Sequence, residues 1–336
     1  MAEDEVLGSA GAAGQTVTVQ ERELRRLLLD ETTFDAAVEE YFSIGGLQPG
    51  VEFAPGVQVE PDPATRERGL VGRALLSLVN DILTRRRHAR YERMVEEHPT
   101  IPRVVAEGDS WFLHPLIPDV IDQLTSGSEP RLAIKSYAAA GDTLASMWRT
   151  NEVLAAAERE NAAAILLSGG GNDVLGDQFP AFLNAWSPDD GTGPARLLNE
   201  NFEKKVGHLA SLYEQIALEA RRRLPATLLV VHGYDYVLPG VEKPDRSLHQ
   251  NPGKWLGRHL TAAGITEQGE REDVLRHLLD RFSDEVLGPI VSLRNVAYAD
   301  TRGAVGVHEW ADEIHPTADG FNAVAARILR TVEDRL

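Results

Sequence analysis

Short apolar runs alternate with helical patterns along the chain from about residue 101 onward. Runs of strand length, rich in β-branched or aliphatic residues, cover 102–107, 132–136, 163–168, 227–232 and 295–299. Between them apolar positions recur at helical spacing, most clearly over 199–223. Alternating strands and helices predict a parallel sheet covered on both faces, because each return crossover packs a helix on the sheet. The pattern therefore predicts an α/β fold.

The first hundred residues follow a different pattern. Residues 1–18 are rich in Ala and Gly with little apolar content, which predicts a disordered N-terminus. Apolar residues then recur at helical spacing over 20–43 and again over 66–97. We therefore predict a helical N-terminal extension over 19–100, followed by one domain over 101–336.

The second of these helical patterns carries a basic run over 85–90. An anion or nucleic-acid contact is one interpretation of such a run. A solvated helix face on an acidic protein is the other, and charge patterning favours it.

The segment 233–257 interrupts the regular alternation. It is polar, contains several prolines and is too long for an ordinary connection. Segments of this length in compact domains are often lids or binding loops. Tyr234, Asp235 and Trp255 are therefore candidate substrate contacts. The alternative is that the aromatic residues fasten this segment to the body of the protein.

The amino-acid composition limits which binding partners and which kinds of site are expected. Lys and Arg total 34 and Asp and Glu total 52, which gives a net charge of −18. Such a surface repels phosphate backbones and anionic lipid headgroups, so no nucleic-acid partner is expected. Cysteine is absent, which excludes disulfides, thiolate metal sites and a cysteine nucleophile.

The sequence also bears on location. It begins Met-Ala-Glu-Asp-Glu, which is acidic where a secretory signal requires positive charge. No run approaches the roughly 20 apolar residues of a membrane span. We therefore predict a cytoplasmic protein without a transmembrane segment, and self-association stays open.

Candidate chemistry follows the predicted strands in four blocks. Ser110 follows the first strand in Gly-Asp-Ser-Trp, Gly141 lies just past the second, and Asn172 ends the third in Gly-Gly-Asn-Asp. Asp312 and His315 lie in Asp-Glu-Ile-His after the fifth strand. Because parallel strands end at the same edge of a sheet, these side chains are expected in one crevice.

These residue types suit nucleophilic catalysis. A serine hydroxyl is a poor nucleophile at neutral pH and needs an adjacent base, which His315 could supply. Asp312 could then hold the imidazole in the required tautomer and orientation. The oxyanion formed on the attacked carbonyl needs preset donors. The amides of Ser110 and Gly141 and the side chain of Asn172 are the candidates for this oxyanion hole.

With these residues in this order, the sequence resembles the SGNH hydrolases, also called GDSL-type esterases and lipases. The name-giving residues and the triad acid of that family fall on Ser110, Gly141, Asn172, His315 and Asp312. The resemblance extends over 101–336. One departure is Trp111, which stands where the family most often has leucine; it bears on pocket shape and makes Trp111 a further candidate substrate contact.

The resemblance implies a flavodoxin-like three-layer α/β/α sandwich with a five-stranded parallel sheet of order 2-1-3-4-5. It also implies hydrolysis of a carboxylic ester through an acyl-serine intermediate, with no metal and no cofactor. Simple acyl esters, lysolipids and acetylated sugars all stay open as substrates.

Two alternatives belong to other functional classes. The first is a metal-dependent phosphoesterase, although the sequence has neither Asp-x-His nor Gly-Asn-His to supply ligands. The second is a non-catalytic binding module on the same fold. A phosphate-binding loop is disfavoured, because the glycines at 169–171 do not continue as Gly-x-Gly-x-x-Gly and no Gly-Lys-Ser/Thr occurs.

Overall fold

The structure is a computed structural model. It describes residues 19–43, 56–57, 59–60, 68–127, 130–189, 191–240 and 255–336. The predicted disorder of 1–18 lies outside these residues, as does the middle of the 233–257 segment.

A five-stranded parallel sheet forms the centre of the protein. Its strands are β1 (Arg103–Gly108), β2 (Ala133–Ser136), β3 (Ala164–Ser168), β4 (Leu228–His232) and β5 (Val296–Ala299). The order across the sheet is β2-β1-β3-β4-β5, which is the order that the resemblance implies. β1 therefore lies between β2 and β3, so the turns that follow these three strands are neighbours.

Helices cover both faces of this sheet. In chain order the α-helices are α1 (Glu21–Leu29), α2 (Phe34–Tyr41), α3 (Arg68–Glu97), α4 (Val120–Thr125), α5 (Leu144–Thr150), α6 (Glu152–Glu160), α7 (Gly171–Leu175), α8 (Glu200–Arg223), α9 (Gly257–Ala262), α10 (Gln268–Arg281) and α11 (Ala318–Glu333). α4 and α11 pack together in one layer, and α5, α6 and α8 form the other. The predicted three-layer α/β/α sandwich is confirmed. Its strands are almost wholly buried, which explains why they appear in the sequence as continuous apolar runs.

The helical pattern expected over 20–43 is divided into α1 and α2. Asp30 closes the turn between them: its carboxylate accepts the Thr32 amide at 2.9 Å, and its carbonyl accepts the Phe34 amide at 2.9 Å. Aspartate favours such a turn because its side chain competes for nearby backbone donors. The helical spacing of apolar residues continues through this turn, and the sequence pattern therefore predicted one helix.

Helix α3 separates two hydrophobic clusters. The smaller one contains Val19, Leu24, Leu28, Phe34, Ala37, Val38, Phe42, Leu75 and Val79. Leu76, on a neighbouring face of the helix, belongs instead to the core around the sheet. α3 also packs on β2, the edge strand. The N-terminal helices are therefore joined to the sheet through α3.

The basic run at 85–90 is not wholly a solvated face, so the favoured interpretation was wrong for Arg87. The Arg87 side chain is 9% exposed and pairs with Asp119 at 2.6 Å and Asp122 at 2.8 Å. It also donates to the carbonyl of Phe112, just past the first strand. A guanidinium with five donors can satisfy several acceptors from one buried position. Arg87 therefore fastens α3 to the segment that follows Ser110.

Candidate active site

Ser110 lies in a tight turn directly after β1. A Cβ on Gly108 would come within 2.9 Å of side-chain atoms of both Phe112 and Ser168, so only glycine allows this close approach. The Asp109 amide donates to the Ser168 carbonyl at 3.2 Å. The turn is thereby held against the end of β3, with Ser110 at the carboxyl edge of the sheet.

Asp312 and His315 share a turn that is closed by its own hydrogen bonds. The Ala311 amide donates to the His315 carbonyl at 2.8 Å. One oxygen of Asp312, Oδ1, accepts the backbone amides of Ile314 at 2.8 Å and His315 at 2.6 Å. The other oxygen, Oδ2, is left for the imidazole. The spacing of three residues thus lets one carboxylate fix both the turn and the ring.

Ser110, His315 and Asp312 form a continuous hydrogen-bonded chain. The Ser110 Oγ lies 2.8 Å from the His315 Nε2, although the two residues are 205 positions apart. The His315 Nδ1 lies 2.8 Å from the Asp312 Oδ2. Burial by itself raises the pKa of Asp312, but the charge of His315 and the hydrogen bonds from the ring and the turn bring this pKa below its ordinary value. An ionised Asp312 places a proton on Nδ1, so Nε2 is free to accept the serine hydroxyl.

The backbone amides of Ser110 and Gly141 belong to neighbouring turns, which follow β1 and β2. Within the described part of the chain, neither the Ser110 amide nor the Gly141 amide donates a hydrogen bond. The loop after β2 is held next to the serine turn because the Ala139 amide donates to the Gly108 carbonyl at 2.9 Å. Gly141 has a φ of +91°, a conformation that costs a side-chain-bearing residue free energy. These amides are available to a bound oxygen atom.

Asn172 lies beside the same loop. Its Nδ2 donates one hydrogen to the Asp142 carbonyl at 2.8 Å, which leaves the second hydrogen of the amide group available. Its neighbour Asp173 accepts the Leu144 amide at 2.8 Å. The third block is therefore bonded twice to the residues that follow Gly141, and the side chain of Asn172 is held in one orientation.

Asp109 and Tyr234 hold the serine turn in place through hydrogen bonds. The Tyr234 hydroxyl donates to Asp109 at 2.5 Å and accepts the Gly171 amide at 2.9 Å. The other Asp109 oxygen accepts the Trp111 amide at 3.0 Å. Burial raises the pKa of Asp109 to about 6, although these hydrogen bonds lower it. Tyr234 thus links the serine turn to the start of α7.

Three of the residues predicted as substrate contacts make internal hydrogen bonds. Tyr234 bonds as described, and the Trp111 indole, which is 3% exposed, donates to the Ile314 carbonyl at 3.2 Å. Asp235 accepts the amides of Gly303 and Val305 at 2.5 and 2.6 Å. These side chains fasten the turns around the site to one another. A direct contact with substrate stays a prediction for each.

The fourth, Trp255, lies against the histidine. Its ring meets the His315 ring edge-on, with centroids 5.3 Å apart. His114 packs on the same imidazole at 4.7 Å, and its Nδ1 accepts the amides of Leu116 and Ile117. Burial, together with the charge of His315, holds the pKa of His114 well below its ordinary value. The ring of His315 is therefore held between two uncharged rings.

Glu313, between the aspartate and the histidine, fastens their turn to the ends of the 241–254 segment. Its carboxylate accepts four backbone amides, from Gly240, Trp255, Leu256 and Gly257, at 2.6 to 3.0 Å. Burial raises the pKa of Glu313 above its ordinary value, although these hydrogen bonds lower it. The residues that flank 241–254, within the segment 233–257 that was interpreted as a lid or binding loop, are therefore bonded to the turn that carries His315.

We expect Glu313→Gln to lower the free energy of unfolding by about 2–4 kcal/mol, because the new NH2 group would face two buried amide donors. Urea unfolding at pH 8 measures this. The exposed Glu267, which makes no side-chain hydrogen bond at its helix terminus, provides the control substitution Glu267→Gln. Equal midpoints and slopes for the two variants would contradict the role given to Glu313.

Asp109, Asp173 and Glu313 were not singled out from the sequence. Each directly precedes or follows a residue that was: Ser110, Asn172 or Asp312. An acidic residue within or beside a buried turn is a usable signal, because such turns leave backbone amides that need acceptors.

Neither a candidate metal site nor a membrane-spanning helix occurs among the described residues. No group of three or more His, Asp or Glu side chains there could hold a metal ion. Among those residues, no helix is both long enough and apolar enough to cross a membrane.

Comparison with known proteins gave matches among solved structures alone. No protein-family model matches the chain, and no curated protein does. An acetyl-xylooligosaccharide esterase from Geobacillus stearothermophilus is 16% identical, with 69% of this chain and 94% of that chain covered and a TM-score of 0.41. An extracellular lipase from Streptomyces rimosus is 14% identical over 69% and 100%, with a TM-score of 0.42. A phospholipase A1 from Streptomyces albidoflavus is 16% identical over 70% and 100%, with a TM-score of 0.39.

The chain's own topology agrees with the sequence resemblance. The sheet order is the one expected, and the four blocks lie together at the carboxyl ends of the strands in the expected sequence. The protein therefore has the three-layer α/β/α architecture and the sheet order that the resemblance to the SGNH hydrolases implies.

Proposed function

We propose that the protein hydrolyses carboxylic (O-acyl) esters with Ser110 as nucleophile, His315 as base and Asp312 as the acid that orients His315. The observation that carries this proposal is the chain of two 2.8 Å hydrogen bonds from the serine hydroxyl through the imidazole to the carboxylate. A buried serine needs no such partners for packing, whereas a nucleophilic serine needs both.

In the first half of the reaction the Ser110 oxygen attacks the acyl carbon while its proton passes to the Nε2 of His315. The carbonyl oxygen becomes an oxyanion, which accepts hydrogen bonds from the amides of Ser110 and Gly141 and from the side chain of Asn172. The tetrahedral intermediate collapses, and the imidazolium gives its proton to the departing alcohol. The product is an acyl group on Ser110.

In the second half a water molecule takes the place of the alcohol. His315 accepts a proton from the water, the resulting hydroxyl attacks the acyl carbon, and the same donors hold the oxyanion. Collapse releases a carboxylic acid and returns the proton to the Ser110 oxygen. Asp312 stays ionised throughout, because its low pKa favours the carboxylate that stabilises the imidazolium.

The experiment that tests the proposal combines a chromogenic ester panel with covalent labelling. The panel runs from acetyl to long acyl esters and includes an acetylated sugar, since neither the acyl-chain length nor the alcohol part of the natural substrate is assigned. A serine-directed phosphonate is expected to stop hydrolysis and to add its mass to the peptide that contains Ser110. A chelator is expected to leave the rate unchanged. Inactivation by the chelator would favour a metal-dependent phosphoesterase, and absence of labelling and turnover would favour a binding module.

We expect Asn172→Ala to lower kcat by about 10²–10³-fold with little change in KM, because its donor is needed most in the transition state. Steady-state kinetics on the best ester of the panel measures the two constants. Asn172→Asp has the same shape, but its carboxylate can donate neither to the oxyanion nor to the Asp142 carbonyl, so it should lose at least as large a factor. A raised KM with an unchanged kcat would contradict the role given to Asn172.

A further inference from the structure

Helix α3 of the N-terminal extension reaches the candidate active site. Leu76 and Asn80 lie one turn apart on the same face of the helix, and both meet the loop after β2. Leu76 approaches to 3.9 Å of the point where a Cβ on Gly141 would lie. The Nδ2 of Asn80 donates to the Ala140 carbonyl at 3.2 Å in a buried position. A residue far outside the family resemblance thus contacts the loop that carries a proposed oxyanion donor.

The bonded carbonyl and the Gly141 amide belong to the same peptide unit. No cis peptide bond occurs in the described part of the chain, so the C=O of Ala140 and the N–H of Gly141 point in opposite directions. A donor on the helix side of this peptide therefore directs the N–H away from α3. On that far side the Gly141 amide has no acceptor among the described residues.

This peptide needs an external restraint. Gly141 has no side chain to limit its backbone angles, so rotation of the peptide between Ala140 and Gly141 is opposed by less steric strain than elsewhere. The bonds around it, from the Ala139 amide to Gly108 and from the Asp142 amide to Ala139, hold its neighbours and not the peptide itself. Among the described residues the Ala140 carbonyl has Asn80 as its single partner.

Stability by itself does not explain why an asparagine is buried at position 80. Its side chain is 9% exposed, yet its Oδ1 is a buried acceptor without a partner among the described residues. An unpaired buried acceptor costs free energy that an apolar residue of similar size would not. The hydrogen bond to Ala140 is what the asparagine supplies and leucine could not.

We propose that Asn80 is a positioning residue that holds the Gly141 amide in its oxyanion-binding orientation, so that the N-terminal extension takes part in catalysis. This inference rests on the proposed ester hydrolysis. Asn80 touches no reacting atom and acts through the Ala140–Gly141 peptide.

The test compares full-length wild type with Asn80→Leu and Asn80→Ala. Both remove the donor; the first keeps the branching of the side chain without its polar atoms, and the second avoids overpacking. We expect kcat to fall about 10-fold to 100-fold with KM within about 3-fold, which is less than the loss of a donor because the peptide can still visit the competent orientation. The rate of phosphonate labelling should fall in parallel, because that reaction also passes through an oxyanion. The melting temperature of Asn80→Leu should stay at or above that of wild type.

His88 provides the matched control. It lies on the same helix and makes the same kind of bond to a backbone carbonyl, that of Ser136 at 2.8 Å, which is the last residue of β2 and does not belong to the Ala140–Gly141 peptide. His88→Leu is expected to keep the wild-type kcat. A kcat within 3-fold of wild type for Asn80→Leu or Asn80→Ala, or an equal loss in His88→Leu, would overturn the inference. Wild type that neither hydrolyses esters nor labels on Ser110 would overturn the proposed function itself, so the two failures are distinct.

Discussion

Ser110→Ala is expected to lower ester hydrolysis by about 10⁴–10⁶-fold and to leave the fold intact. The Ser110 hydroxyl has one hydrogen-bond partner in the described chain, the His315 ring, so its removal leaves no other buried group unpaired. The turn itself depends on the amides and carboxylate of its neighbours. The loss therefore falls on chemistry and not on stability.

The measurement is turnover on the best substrate of the ester panel, together with the urea midpoint and the circular dichroism spectrum. The exposed Ser126 provides the control substitution Ser126→Ala, which should behave as wild type in all three. Hydrolysis by folded Ser110→Ala at a rate near wild type would exclude an acyl-serine mechanism. A loss of both activity and fold would instead mean that the hydroxyl is structural.

Much of the fold and many of the candidate catalytic residues could be predicted from the sequence, because both leave patterns in short stretches of the chain. A strand buried on both faces is a continuous apolar run, and the five predicted strands agree with the structure to within a residue at each end. The candidate groups follow these strands directly, and parallel strands end at one edge. The strand order was not local: it was implied by the family resemblance that these residues carry, and the structure has that order.

What the sequence could not supply are the contacts made between distant segments. The sequence shows that Trp111 and Tyr234 are aromatic residues. It does not show that each of them donates a hydrogen bond inside the protein. Nor does any local pattern connect Arg87 with Asp119 or Asn80 with Ala140, because hydrogen-bond partners of buried polar groups are chosen by tertiary packing. The domain boundary near residue 100 and the cytoplasmic location stay predictions.

The substitution Asp312→Asn is also expected to lower kcat strongly, and the hydrogen bonds of Asp312 give the reason. In Asp312 the Oδ1 atom accepts two backbone amides while Oδ2 faces the Nδ1 of His315. In Asp312→Asn the remaining oxygen must stay with the two amides, because an NH2 group cannot accept them. The new NH2 then donates to Nδ1, which forces the imidazole proton onto Nε2. In that tautomer the ring cannot accept the proton of Ser110.

We therefore expect Asp312→Asn to lower kcat by about 10⁴-fold at pH 7 while KM and the melting temperature change little. The exposed Asp319 of the following helix gives the control Asp319→Asn, which should keep full activity. Nitrogen-15 chemical shifts of the ring of His315 report the tautomer directly: the proton should move from Nδ1 to Nε2 in the variant. A large loss of kcat without this exchange would place the role of Asp312 in the geometry of the turn, and retention of kcat would remove it from the mechanism.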